Sequence, residues 1–285
     1  MIPSSHSPRF QPGPTRKTSK DQLIERFEQK YVVHPSQVPR IREFIRPFCI
    51  ADPSASGDLP EYTVTTLQLD TISSDLVLAK ERKAFDRFKL RIRTYGTDSS
   101  PSNPVFLEIK RRSGGVIIKS RAKLMRADYR PGMALAPDQL PALGTGKDNA
   151  NLMEFSRICR QIEARPRMLI RYLRESYFGE NDDYARVTFD RRICYRPTTS
   201  WSLPGEELQD RKHWRAMDTQ TALRRNFAGY IFELKAMRDV PSWMVELIER
   251  FNLTPVGFSK YATAHRLEGL HLNRCYTAAG ENVTF

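Results

Sequence analysis

The sequence lacks the features that would assign it to several common classes of protein. Its cysteines, Cys49, Cys159, Cys194 and Cys275, are scattered and form no CxxC pair, which argues against a zinc site or a disulfide framework. No apolar run reaches the ~18 residues needed to span a bilayer. Residues 1–20 are polar and rich in proline and serine, without an apolar signal core, and we expect them to be disordered. These absences predict a reducing, cytoplasmic location.

The signatures of nucleic-acid-binding proteins are also missing. The sequence shows no helix-turn-helix, zinc-finger or RNP pattern. Its aromatic residues fall on apolar faces or near strand ends, whereas nucleic-acid binders commonly place aromatics among basic residues so that bases can stack on them. Nucleic acid is therefore not the expected partner.

What the sequence has in excess is positive charge. The formal net charge is +13 over 285 residues, and 40% of the residues are hydrophobic, which is enough for a sizeable core. Such a charge implies a polyanionic partner, and by itself it leaves nucleic acid, an anionic membrane and polyphosphate open.

Residue patterns predict one α+β domain over residues 21–265, followed by a C-terminal tail over 266–285 that loses periodicity. The segment NLMEFSRICRQIEA predicts an amphipathic helix, with Asn149 or Asn151 as its cap. The β-branched run at 62–71 predicts a strand. The runs at 85–96, 104–112 and 114–124 predict an antiparallel meander. Earlier in the chain, the segment SQVPRIREFIRPFC predicts the first helix, because its apolar residues have helical spacing. These residues are Val38, Ile41, Phe44, Ile45 and Phe48.

The stretch FKLRIRTYG concentrates positive charge on one side of a predicted strand. Successive side chains of a strand point to opposite faces, so Lys89, Arg91 and Arg93 share one face and Leu90 and Ile92 share the other. Like charges aligned in this way repel each other, and stability alone does not explain why they are gathered. The pattern indicates an anionic ligand opposite them.

The same alternation places charged residues on one face of nearly every predicted strand. For one strand a solvated outer face is the simpler explanation, but such faces usually mix both signs of charge. If the sheet closes on itself, the charged faces point inward and form a tunnel for a highly charged anion. Arginine offers bidentate contacts to phosphate oxygens and lysine adds point charge. Besides the residues of FKLRIRTYG, this face carries Arg26, Glu28, Lys30, Glu108, Lys110, Lys119, Arg121, Lys123, Arg174, Arg186, Thr188, Asp190, Glu233, Lys235, Ser259 and Lys260.

Three glutamates on this face each precede a lysine by two residues. They are Glu28, Glu108 and Glu233. Phosphoryl transfer usually needs a divalent metal to neutralise the phosphate oxygens, and carboxylates are its usual ligands. Each E-x-K pair could equally form a cross-strand ion pair, and both interpretations stay open for these residues.

The strand motifs together resemble the polyphosphate polymerase (VTC) domain of the triphosphate tunnel metalloenzyme superfamily, also called CYTH-like. The similarity covers roughly residues 25–264, in the family's order. It implies an antiparallel β-barrel tunnel with flanking helices that transfers the γ-phosphate of ATP to a growing polyphosphate chain, with Mn²⁺ or Mg²⁺. The motifs that carry it are RFEQKYVV, FKLRIRTYG, FLEIKRR, YLRESYF, YARVTFDR, FELK and FSKY.

The resemblance also implies roles for individual residues. Glu233 matches the metal-binding glutamate, and Glu28 and Glu108 are the further metal candidates. For the remaining basic wall residue the choice between Lys119 and Arg121 stays open. The residues implied in catalysis are Lys30, Arg91, Arg93, Lys110, Arg174, Arg186 and Lys260. Those implied in substrate binding are Lys89, Lys119, Arg121, Lys235 and Ser259.

Two departures from the pattern bear on function. The triphosphatase and adenylate cyclase branch of the superfamily opens with E-x-E-x-K, but here Arg26 replaces the first carboxylate before Glu28 and Lys30. This suits holding a long anion more than hydrolysing a short one. Within the polymerase family, Gln68 stands where an aromatic residue is expected, and we expect it to be a surface change.

Three functions compete on this basis. The first is the ATP-dependent polymerase, the second is a triphosphatase of the same superfamily, and the third is a non-catalytic module that binds polyphosphate or nucleic acid. We recognise no SPX regulatory domain. A membrane-protein partner for product export stays open, and the oligomeric state is not predicted.

Overall fold

The computed structural model describes residues 27–55, 59–97, 100–114, 116–181, 184–203, 213–237 and 239–278. The predictions for residues 1–20 and for Arg26 lie outside these ranges. The strands are β1 (Phe27–Val33), β2 (Cys49–Ala51), β3 (Glu61–Asp70), β4 (Asp86–Tyr95), β5 (Pro104–Ser113), β6 (Val116–Met125), β7 (Arg165–Gly179), β8 (Arg186–Pro197), β9 (Arg215–Ala216) and β10 (Tyr230–Ala236). The α-helices are α1 (Val38–Ile45), α2 (Asp75–Glu81), α3 (Gly146–Gln161), α4 (Gln220–Leu223), α5 (Ser242–Arg250) and α6 (Lys260–Ala278).

The strands form one antiparallel sheet in the order β1-β10-β8-β7-β3-β4-β5-β6, with β2 added to β7 and β9 added to β8. The predicted meander is the β4-β5-β6 end of this sheet. The sheet curls into a half-barrel, so its two end regions face each other. Across the gap, Lys110 Nζ of β5 lies 3.3 Å from Glu28 Oε2 of β1. The predicted α+β tunnel fold is confirmed, and this ion pair connects the two end regions of the curled sheet.

The outer face of the sheet carries the hydrophobic core. On β4, Leu90 and Ile92 are fully buried and pack with Phe155 of α3. At the other end of the sheet, Phe232 of β10 packs with Ile41 of α1 and with residues of α5. Helices thus cover most of the apolar face of the sheet, except at the start of β6, where Ile118 is 52% exposed, and the charged face points inward.

Helix boundaries differ from prediction at two places. Thr145, not Asn149 or Asn151, caps α3, because its hydroxyl accepts a hydrogen bond from the Asp148 backbone N–H. The side chain of Asn149 instead donates to the Leu143 carbonyl oxygen, and that of Asn151 donates to the Arg121 carbonyl oxygen.

The second difference concerns the C-terminal part of the chain. Lys260 was grouped with the strands, but it begins α6, and this helix continues to Ala278. The proposed boundary at residue 265 therefore falls inside a helix. Two residues beyond this boundary contact the rest of the domain: Arg266 donates to the Ala222 carbonyl oxygen, and Glu268 forms an ion pair with Arg215.

The predicted first helix is confirmed as α1. Val38, Ile41 and Ile45 are buried, and the helix ends before Phe48, which stacks on Trp243 with ring centroids 5.4 Å apart. Among the described residues, the structure contains no helix long and apolar enough to cross a membrane.

Candidate functional site

The register of the sheet brings the charged residues of the central strands onto one face. Arg91 of β4 is paired with Glu108 of β5, and Glu108 is paired in turn with Arg121 of β6. One step along, Lys89, Lys110 and Lys119 form the equivalent row. These rows line the concave side of the half-barrel, which we call the tunnel face.

Glu108 is the centre of the first group of charges on this face. Its side chain is fully buried, and its Oε2 atom lies 2.6 Å from Arg91 Nε and 3.7 Å from Arg93 Nη1. Its Oε1 atom lies 2.9 Å from Lys119 Nζ and 2.7 Å from Arg121 Nη2. We call these five residues the Glu108 cluster.

Each oxygen of Glu108 contacts two cations. Burial opposes ionisation of Glu108, but Arg93, Arg91, Lys119 and Arg121 together hold its pKa far below the usual range. Glu108 offsets the repulsion between Arg91 and Arg93 only in part, because burial and the charge of Arg93 still lower the pKa of Arg91. Both oxygens of Glu108 are occupied by cations at short distances, so its contacts favour the ion-pair interpretation and not the predicted role as a metal ligand.

The second group of charges lies around Glu233 on β10. Glu233 Oε1 is 3.1 Å from Lys235 Nζ and 3.9 Å from Lys30 Nζ, and its Oε2 is 3.8 Å from Arg174 Nη2. Lys30 Nζ also lies 3.7 Å from Glu28 Oε1, so one ammonium group contacts two carboxylates. We call these five residues the Glu233 cluster. Within the described residues, Glu108 does not join Glu28 and Glu233 in a single group of metal ligands.

The charge state of Glu233 is set by its neighbours. Burial alone would raise the pKa of this carboxyl, but Lys235, Lys30 and Arg174 hold it well below the usual range. The group is therefore an anion at neutral pH. Only one of its three contacts with cations is close to hydrogen-bond distance, so these cations hold the carboxylate less tightly than those around Glu108 do.

Asp190 of β8 connects this group to α6. Its carboxylate receives two hydrogen bonds from Arg174, of 2.7 and 2.9 Å, and lies 2.5 Å from Lys260 Nζ. Lys260 also sits 4.3 Å from the ring centroid of Tyr172. Asp190 is fully buried, and although burial opposes its ionisation, Arg174 and Lys260 lower its pKa. The carboxylate fixes a guanidinium and an ammonium group side by side.

Lys89 and Ser259 link the sheet to the start of α6. Lys89 Nζ donates to Ser259 Oγ at 3.2 Å. Burial, together with the nearby charges of Lys30, Arg91 and Lys110, lowers the pKa of Lys89 to about 7. In the free protein this lysine gives up its proton far more readily than an ordinary lysine, and a bound anion would reverse that.

Two predicted positions lie differently from the rest. Arg186 begins β8 and is exposed, with its guanidinium 4.5 Å from the ring centroid of Phe178, although its backbone is paired with Lys235 of the Glu233 cluster. Gln68 was expected on the surface, but only 7% of it is exposed, because its pairing with Arg91 places it on the tunnel face. The surface interpretation of Gln68 is wrong.

Sequence reasoning assigned no role to three residues of the face. Alternation placed Asp190 and Thr188 there, but it could not show that Asp190 binds two cations. Tyr172, two residues before Arg174, also lies on this face and is 3% exposed. Burial opposes ionisation of its hydroxyl, yet Arg174, Arg93 and Lys260 together lower its pKa. Its spacing of two residues from Arg174 on the same strand could have predicted that Tyr172 lies on this face.

The Glu233 cluster fits a divalent cation better than the Glu108 cluster does. Mg²⁺ and similar ions are commonly held by one or two carboxylates together with water and substrate phosphates. Glu28 and Glu233 supply two carboxylates on adjacent strands, β1 and β10, and Glu28 is 25% exposed at its side chain. Next to Glu233, the buried Thr188 Oγ1 has no hydrogen-bond partner among the described residues. This donor set suits an ion that also contacts phosphate.

Comparison with solved structures gives weak overall similarities. A Vibrio parahaemolyticus protein described as a candidate adenylate cyclase has a TM-score of 0.42 at 12% identity, covering 86% of this chain and 99% of that chain. A Pyrococcus horikoshii protein gives a TM-score of 0.42 at 11% identity over the same shares. A Hippeastrum protein, described as a candidate adenylyl cyclase with a dominant triphosphatase activity, gives 0.40 at 16% identity, covering 82% of this chain and 92% of that chain.

The match to a family model is much more extensive. Among curated proteins, none matches this sequence. The model of the VTC domain, however, matches residues 25–267, which include every strand of the sheet and all the predicted site residues. The chain belongs to the VTC domain family, as its strand motifs indicated.

Proposed function

We propose that this protein is an ATP-dependent polyphosphate polymerase. The terminal oxygen of a polyphosphate chain would attack the γ-phosphorus of ATP, the bond to the β-phosphate bridging oxygen would break, and ADP would leave. The chain grows by one phosphate and no protein nucleophile is required. The observation that supports this proposal best is the convergence of cations from β1, β4, β5, β6, β7, β10 and α6 on one concave face.

The arrangement of these cations suits an extended chain of phosphates. Arg91 and Arg93 are held in place by Glu108, and Arg174 and Lys260 are held by Asp190. Preorganised positive charge stabilises the transferring phosphoryl group without reorganisation during the reaction. The two groups sit on different strands of the same face, so one can bind the nucleotide phosphates while the other binds the acceptor chain.

A divalent ion would be held by Glu233, with Glu28 beside it. When bound, Mn²⁺ or Mg²⁺ supplies charge neutralisation on the phosphate oxygens. Lys235 and Lys30, which contact these carboxylates in the free protein, would then turn to the phosphates. Location in the cytoplasm and a membrane-protein partner for export remain predictions.

The test is direct assay of the purified protein. Incubation with ATP and Mn²⁺, or with ATP and Mg²⁺, should yield ADP and a ladder of long-chain polyphosphate on a gel. The Arg91→Ala/Arg93→Ala variant should give neither product, while a thermal melt shows that it is folded. Release of orthophosphate without chain growth would instead indicate a triphosphatase, and binding of polyphosphate without turnover would indicate a non-catalytic module.

A further inference from the structure

Thr188 occupies a position on the tunnel face next to the proposed metal-binding carboxylate. On β8 it is paired with Glu233 of β10 on one side and with Ser176 of β7 on the other. Arg186 and Asp190, two residues away in either direction, share its face. Thr188 is only 5% exposed, so its hydroxyl is shielded from solvent.

The hydroxyl of Thr188 is unsatisfied in the free protein. Its Oγ1 atom is buried and has no hydrogen-bond partner in the part of the chain that the structure describes. The neighbouring charges are paired with one another, since Glu233 contacts Lys235 and Asp190 contacts Arg174. Buried hydroxyls in native proteins are usually satisfied, and an exception calls for an explanation.

The pairing of Glu233 in the free protein suggests when this hydroxyl finds a partner. Lys235, Lys30 and Arg174 contact Glu233 at 3.1, 3.9 and 3.8 Å. Phosphate oxygens entering the tunnel compete for the two lysines, whereas the two hydrogen bonds that Arg174 donates to Asp190 keep that guanidinium in place. As the lysines turn to the ligand, Glu233 loses two of its three cationic contacts and needs another donor to keep its carboxylate oriented. Thr188, directly opposite on the next strand, is the adjacent neutral donor.

We infer that Thr188 is a positioning residue for Glu233 whose hydroxyl donates a hydrogen bond to the carboxylate once phosphate has drawn Lys30 and Lys235 away. The inference rests on the proposed function, because it assumes that Glu233 holds a divalent cation. A hydrogen bond to the outer oxygen of a metal-binding carboxylate fixes its direction, and loss of such a bond typically weakens metal binding 10–100-fold.

The chain supplies a matched control in Thr65. It is also buried, at 2% exposure, and its Oγ1 atom likewise lacks a hydrogen-bond partner among the described residues. It lies on β3 next to Thr66, which faces Arg93, so alternation puts Thr65 on the opposite side of the sheet. A general effect of removing a buried, unsatisfied hydroxyl would appear equally at both positions.

The experiment measures Mn²⁺ binding directly. The full-length protein is saturated with inorganic triphosphate, and free Mn²⁺ is followed by its electron paramagnetic resonance signal. Thr188→Val should weaken Mn²⁺ binding about tenfold or more, whereas Thr188→Ser and Thr65→Val should stay within about twofold of the wild type. Triphosphate affinity without metal should be unchanged in all three variants, and melting temperatures should be equal or slightly higher in the two valine variants because an unsatisfied hydroxyl is removed.

Other results would overturn the inference. Equal Mn²⁺ affinity in Thr188→Val and Thr65→Val would show that Thr188 does not position Glu233. Weaker triphosphate binding in Thr188→Val without metal would show that the hydroxyl contacts phosphate directly. Glu233→Gln separates these failures from that of the proposed function: if it leaves Mn²⁺ binding intact, the metal role of Glu233 itself is wrong.

Discussion

The two carboxylate clusters of the tunnel face hold their anions in different ways. Glu108 has both oxygens in contact with cations, three of them at 2.6–2.9 Å, and its side chain is fully buried. Glu233 has one contact at 3.1 Å and two near 4 Å, and the neighbouring Glu28 is 25% exposed. The first arrangement is a saturated ion-pair network, and the second leaves a carboxylate edge that another cation can approach.

This difference shows that one sequence pattern can produce two different arrangements of contacts. Glu108 and Glu233 both stand two residues before a lysine on a strand of the same face. What separates them is the number of arginines on adjacent strands: Glu108 lies between Arg91 and Arg121, whereas Glu233 lies between Lys30 and Thr188. A planar guanidinium binds a carboxylate in a fixed geometry and an ammonium group does so loosely. Glu108 therefore holds the arginines in position, and the looser contacts of Glu233 are consistent with the metal role proposed for it.

The largest effect should come from breaking the Glu108 cluster. Glu108→Gln leaves Arg91, Arg93, Lys119 and Arg121 without the fully buried carboxylate that they share. Removing one partner of a buried ion pair typically costs about 3–5 kcal/mol of unfolding free energy. Chemical denaturation should show a loss of this size for the free protein. Added inorganic triphosphate should restore more stability to the variant than to the wild type, because its phosphates replace the missing negative charge.

The matched control for this prediction is Glu233→Gln. Its loss of unfolding free energy should be clearly smaller, since the cations around Glu233 contact it at longer distances than most of those around Glu108 do. If both variants are destabilised equally, the two clusters are equivalent and the comparison fails.

A smaller but functionally specific effect is expected from Glu233→Gln on transfer. Glutamine keeps the shape and one oxygen but loses the charge, so metal-dependent production of polyphosphate should fall by about 100-fold or more, equivalent to about 2.7 kcal/mol. Polyphosphate binding rests on the lysines and arginines and should survive, with strong salt dependence. Gel assay and filter binding measure the two properties separately. Full turnover at saturating Mn²⁺ would limit Glu233 to an ion-pair role.

Much of this architecture could be predicted from the sequence because it depends on local alternation. Residues two apart on a strand share a face, so FKLRIRTYG alone placed Lys89, Arg91 and Arg93 together. The meander followed from turn residues between strands. These rules use only neighbouring residues, and the structure agrees with them wherever the strand is regular.

The parts that could not be predicted depend on contacts between distant segments. Lys260 reaches Asp190 from a helix, 70 positions away along the chain, and alternation has no rule for such a pair. Gln68 was placed on the surface because neither its partner strand nor the register was known. The assignment of Glu108 as an ion-pair centre needed β4 and β6 on either side of β5, which a single strand does not reveal.

A moderate effect of pH should distinguish Lys89 from the permanently charged arginines. Its pKa of about 7 means that the free protein loses this charge as the pH rises above 7, whereas the anion-bound protein retains it. Lys89 should therefore lower triphosphate affinity by up to about tenfold per pH unit above 7, with uptake of a proton on binding, and Lys119, whose pKa burial also lowers to about 7, adds to this effect. The unfolded lysine titrates near 10.5, so between pH 7 and 10.5 the unfolded chain binds more protons, and this residue makes the free protein more stable as pH rises.

Calorimetry in buffers of different ionisation enthalpy measures the proton uptake. Lys89→Arg keeps the charge throughout this range, so the variant should bind triphosphate with a flatter pH profile and with less proton uptake at pH 8. An unchanged profile in Lys89→Arg would assign the pH dependence to other groups on the face.

The smallest effect is expected at Gln68, which lies between the two clusters beside Arg91 and near Lys89 and Ser259. Its amide is neutral, and a neutral hydrogen bond contributes about 0.5–1.5 kcal/mol, less than one to a charged group. Gln68→Leu keeps a similar volume and should weaken triphosphate binding only about 2- to 10-fold, with no change in its Mn²⁺ requirement. Titration calorimetry with inorganic triphosphate, with and without Mn²⁺, measures both quantities. A loss as large as that in Glu233→Gln would mean that Gln68 contacts the transferring phosphate, and that the tunnel face is organised around three positions instead of two.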